Sequence, residues 1–116
     1  MGMAVTAYAA SPTETKTTTH YGTLTGSVSG TKARVKALTS ITKNPDNAYL
    51  TIKLDALNTL GVVQGTTGQR KSPTGIYEYD LDWTNLNSNC NYINGAHGVQ
   101  GGTKYKADVV YTNTSM

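Results

Sequence analysis

The chain has 116 residues, 10 basic and 7 acidic side chains, and a formal net charge of +3. That is material for one domain with one core, and the basic residues are scattered singly, without the dense basic run or glycine-aromatic motif of a nucleic-acid binder. There is no apolar stretch long enough to span a membrane, and the single cysteine, Cys90, excludes both an internal disulfide and a C-x-x-C metal site.

Charged residues are 15% of the chain against a usual share of about 25%, with Thr, Ser, Asn and Gly in their place. Thr, Tyr and Val favour strands and Gly and Asn favour turns, a composition expected of an extracellular β protein. Phe is absent, so tyrosines must supply the aromatic packing.

At the N-terminus, "MGM" reads as a cloning scar, and "AVTAYAA" contains the A-x-A pattern of a signal-peptidase site without an apolar region before it. Residues 1–16 are therefore expected to be scar, leader remnant and flexible tail, and 17–116 the folded domain. "TETKTTTHYGTLTGSVSGT", residues 13–31, has Thr or Ser at every second position except Tyr21. Its strand part, expected over 17–29, turns Leu24 and Val28 inward and the hydroxyl row to solvent. Such rows form the contact surface of some ice-binding proteins, but there several rows stack, and this pattern belongs to one stretch.

"TKARVKALTSI" alternates Ala33, Val35 and Ala37 against Lys32, Arg34 and Lys36, and Leu38 breaks the pattern, which predicts a bulge or bend there. "KNPDN" is a turn set by Pro45 and its Asn and Asp neighbours. The clearest strand follows, with Ala48, Leu50, Ile52, Leu54 and Ala56 on one face. After a short apolar piece at 60–64, "GTTGQRKSPTG" reads as a long mobile connection. "IYEYDLDW" puts Tyr77, Tyr79, Leu81 and Trp83 opposite Glu78, Asp80 and Asp82. "TNLNSNCNYINGAHGVQGG" has too little periodicity for a long strand and reads as loops around one short turn of helix or strand, and "KYKADVVYT" closes the chain with Tyr105, Ala107, Val109 and Tyr111 on one side.

Six or seven strands joined by turns predict an all-β, antiparallel β-sandwich, with a small β-barrel as the alternative. The expected core is Leu24, Val28, Val35, Leu50, Ile52, Leu54, Tyr79, Leu81, Val109 and Tyr111. "YGTLTGSVSGT" and "AHGVQGGTKYKADVVYT" resemble small secreted β proteins of Gram-positive bacteria without an assigned function. The resemblance implies export and carries no residue roles.

The acidic row Glu78, Asp80 and Asp82 has neighbours about 6.6 to 7 Å apart along one strand, too wide for one ion. Charge pairing with Lys32, Arg34 and Lys36, or with Lys104 and Lys106, is the expected role, against carboxylate-pair hydrolysis. Cys90 and His97 are close in sequence but have no third group to orient them as a nucleophile and base. "GAHGVQGG" lacks the lysine and the strand-to-helix context of a phosphate loop. No cofactor or metal is called for.

The function expected is an exported, non-enzymatic β-sandwich that binds a protein or glycan at a cell surface, without nucleic acid or membrane insertion. Its contact residues are expected in the last loop region, at Tyr92, His97 and Gln100. A small cationic bacteriocin-like antagonist, and a small hydrolase using the acidic row or Cys90 with His97, are the alternatives.

Overall fold

The computed structural model describes residues 11–116, so the scar and leader remnant read at the N-terminus lie outside the described residues. Nine strands follow in chain order: β1 (Thr13–Thr17), β2 (Thr23–Gly30), β3 (Arg34–Ile41), β4 (Tyr49–Leu57), β5 (Val63–Thr66), β6 (Arg70–Thr74), β7 (Glu78–Thr84), β8 (Tyr92–Gln100) and β9 (Asp108–Ser115). Every pairing is antiparallel. One sheet has the order β1-β2-β3-β7 and the other β5-β4-β8-β9, with β6 also on β4. No ladder joins the two sheets among the described residues, so the protein is an open β-sandwich and not a barrel. No helix of the described residues is long and apolar enough to cross a membrane.

The period-two pattern of β4 does what it predicts: Ala48, Leu50, Ile52, Leu54 and Ala56 are all fully buried. Leu24, Val28 and Val35 come down on them from the facing sheet, while Tyr79, Leu81 and Trp83 of β7 pack partly buried against the same core. A buried Leu or Ile contributes roughly 1.5 to 3 kcal/mol, and with Cys90 free this packing holds the domain without a crosslink.

Polar side chains interrupt that core at one level. His97 is 0% exposed, with Nδ1 3.2 Å from Thr39 Oγ1 and Nε2 2.7 Å from Thr112 Oγ1. Val28, Ile52, Leu54 and Ile93 lie on one side of this layer, and Leu24, Leu50, Val99 and Val110 on the other. The Thr39 hydroxyl donates to the Thr51 carbonyl at 2.9 Å, so it accepts from Nδ1–H, and Nε2 is left to accept from Thr112. The ring needs room on both sides. A methyl group at Gly26 would overlap the imidazole, and one at Gly95 would overlap Nε2 and the Thr112 hydroxyl.

This layer corrects three sequence expectations. The segment read as loops contains β8, a central strand whose inward row is Ile93, Gly95, His97 and Val99. At β3 there is no bulge: Leu38 faces outward opposite Ser27 and Asp80, because Thr39 takes the inward place. β9 has the opposite phase from the one expected, with Val110 and Thr112 buried and Val109 and Tyr111 exposed.

Two further corrections concern the edges. The flexible tail expected through residue 16 overlaps β1, which pairs Thr17 with Thr23, Thr15 with Thr25 and Thr13 with Ser27. The hydroxyl row is therefore two strands wide, and Lys16, on the opposite side of β1, bridges to Asp108 of β9 at 2.8 Å. The expected mobile connection contains the end of β5 and all of β6, which together form one broken edge strand along β4. Where that ladder is irregular, Thr67 Oγ1 accepts from Leu54 N and Ser72 Oγ from Leu50 N, each within 2.9 Å. Leu60 and Val62 between β4 and β5, and Val63 at the start of β5, are exposed.

Candidate functional site

With its inward row given to the histidine layer, β8 presents Tyr92, Asn94, Ala96, Gly98 and Gln100 on the outer face of its sheet. Register sets the neighbours of the small residues. Ala96 lies between Lys53 of β4 and Tyr111 of β9, and Gly98 between Thr51 and Val109. Long side chains thus flank a strand with almost none, and the result is a trough of about 260 Å³. Gly98 fits because a methyl group there would press on the Thr51 hydroxyl at 2.6 Å.

The two walls differ in chemistry. Tyr111 is 63% exposed and Val109 38%, which gives an apolar side. Opposite them Lys53 reaches to 3.7 Å from Asp55, and Thr51 contributes a hydroxyl. Gln100 closes one end, its amide donating to the Tyr49 hydroxyl at 3.0 Å. At the other end Asn113 donates to Asn94 across the β8–β9 pair. An apolar strip edged by amides and hydroxyls suits a ligand that is itself half apolar and half hydroxyl.

The residues expected to make partner contacts are divided by this geometry. Tyr92, His97 and Gln100 lie on a strand, not a loop. Gln100 lines the trough. Tyr92, 39% exposed, shares its face but stands eight residues away, about 26 Å along an extended strand. His97 points to the other face and is fully buried, so its ring is withdrawn from any surface contact. Burial pushes its pKa down to about 4, against a smaller upward pull from the Leu38 carbonyl, and the imidazole is neutral. Thr51 and Lys53 were not expected to make contacts, and Val109 and Tyr111 were expected in the core, because the outward row of β8 and its flanks is visible only once that strand is assigned.

Neither candidate catalytic group is assembled as one. Cys90 is buried and bonds Asn87, while both ring nitrogens of His97 are engaged by threonines. Of the acidic row, Asp82 meets Arg34 at 2.8 Å, the charge pairing expected with β3, and this bond holds its carboxyl below the usual carboxylate range. Asp80 stands opposite Leu38, and Glu78 opposite Ser40. No group of three or more His, Cys, Asp and Glu among the described residues is placed to hold a metal ion.

Compared with known proteins, the chain matches no family model, no curated protein and no solved structure. The trough itself therefore carries the functional argument.

Proposed function

We propose that this protein is a non-enzymatic glycan-binding domain that works outside the cell, and that the trough on β8 is its binding face. The single observation that carries the reading is the pairing of an exposed tyrosine with a side-chain-free floor. Tyr111 rises beside Ala96 and Gly98, with hydroxyl, amine and amide groups around them. A sugar ring has an apolar face to lie against an aromatic ring and a rim of hydroxyls to hydrogen-bond, and it matches that arrangement on both counts. Export is supported by a composition rich in Thr, Ser, Asn and Gly and poor in charge.

The test is a panel of immobilised polysaccharides probed with the intact protein, followed by calorimetry on those that bind. Tyr111→Ala removes the exposed ring without touching the core, so it should lower affinity at least about tenfold, a loss of about 1.4 kcal/mol, and leave the melting temperature unchanged. Binding of a protein partner with Tyr111 silent would redirect the reading to another face.

A further inference from the structure

The trough does not end at β9. Ala107 and Asp108 line it and also line a second cleft of about 460 Å³, formed with Thr19, His20, Lys104, Tyr105 and Lys106. The floor of this cleft is built. His20 stacks on Tyr105 with centroids 3.6 Å apart and planes 10° from parallel, and the edge of Tyr21 supports Tyr105 from the core at 6.3 Å. Beneath them Asp46, 4% exposed, accepts from the Tyr21 hydroxyl at 2.9 Å, from Lys104 N at 3.1 Å and from Tyr105 N at 2.9 Å. A buried carboxylate thus fixes the backbone of the loop that carries both lysines.

The charges around the cleft are uneven. Of the ten basic residues, Lys16, Arg34 and Lys53 are in ion pairs, and the other seven, Lys104 and Lys106 among them, form none among the described residues. Asp108, the one acid lining the cleft, is already held by Lys16 at 2.8 Å, and Asp46, bonded beneath only by the neutral Tyr21 hydroxyl and loop amides, keeps one negative charge against the two lysines, which leaves the positive charge in excess. A positive cleft with an aromatic stack therefore continues a trough suited to sugar.

We infer that the glycan bound is anionic, and that Lys104 and Lys106 hold a carboxylate or phosphate of its repeat while the adjoining sugar lies in the trough. This rests on the glycan reading of the trough. Lysines act here as point charges without the planar fork of arginine, so the site takes either anion.

The experiment compares polygalacturonate with its fully methyl-esterified form, and adds a phosphomannan and dextran, using the intact protein. Binding should be confined to, or at least about tenfold tighter for, the charged polymers, and weaken with rising salt. Polygalacturonate and the phosphomannan as separate arms distinguish the carboxylate from the phosphate. Lys104→Gln with Lys106→Gln should abolish that preference. Lys32→Gln with Lys36→Gln, which removes the same charge elsewhere, should leave it in place. Equal binding of charged and neutral polymers, or equal loss in both double variants, would overturn the inference and leave the trough reading standing. Loss of anion binding in Lys104→Gln/Lys106→Gln with Tyr111→Ala silent would keep the cleft and sink the trough. No binding to any polymer would sink both.

Discussion

His97 Nε2 lies 2.7 Å from the Thr112 hydroxyl, so neighbouring strands share a side-chain hydrogen bond inside the sandwich. Thr112→Val keeps the branched shape and removes the donor, which strands a ring nitrogen in the core. It should cost about 1 to 3 kcal/mol in urea unfolding. Thr112→Ser, which retains the hydroxyl, should lose less than the valine variant. Equal stability of the valine variant and the parent would show that this bond is not what holds the ring.

The same burial gives stability a defined pH dependence. Unfolded, His97 takes up a proton near 6.5; folded, only near 4. The unfolded state thus binds more protons between these values, so the contribution is complete above about pH 6.5 and is lost as pH falls toward 4. At about 1.36 kcal/mol per pH unit the loss is about 3 kcal/mol. Asp46 and Asp82 are held below their usual 3.8, Asp46 by the Tyr105, Lys104 and Tyr21 bonds that outweigh its burial, so they release stability only at lower pH. Urea midpoints measured from pH 7 to 4 should fall, and the NMR signals of His97 should titrate near 4 and not near 6.5.

Two adjacent valines test the phase of β9. Val110 is 7% exposed and Val109 38%. Val110→Ala should destabilise by about 1.5 to 3 kcal/mol through the cavity it leaves, whereas Val109→Ala should stay within about 0.5 kcal/mol. Calorimetric melting of both variants decides it, and the reverse order would turn β9 over.

A chain beginning at Thr18 lacks β1, its ladder with β2 and the Lys16–Asp108 bridge. Against a chain beginning at Ser11 it should melt at least about 3 to 6 °C lower, the shift expected of a loss near 1 kcal/mol in a domain of this size. Lys16→Gln alone should show only a small part of that, since half-exposed ion pairs contribute roughly 0 to 1 kcal/mol. Unchanged melting of the shortened chain would mean that the β1 ladder adds no net stability.

By itself the sequence determined the class of fold and the strands whose inward rows are apolar. β4 and β7 alternate so regularly that any other register would expose their leucines to water, and the absence of a second cysteine leaves the fold to non-covalent contacts. What only the tertiary structure decided was everything that depends on His97. An alternation rule assumes that inward means apolar. Here Thr39, His97 and Thr112 go inward because each finds its hydrogen-bond partner on another strand, which no local pattern reveals. Gly26, inside the strand expected over 17–29, and Gly95, which read as a loop residue, are both strand positions emptied to admit the ring. That one buried imidazole hid β8 and, with Thr39 turned inward to it, mimicked a bulge at Leu38, while the phase of β9 was misread because Tyr105 and Ala107, taken into its row, precede the strand. By hiding β8 it also hid the trough on that strand's outer face, whose walls come from β4 and β9 and meet only when the sheet forms.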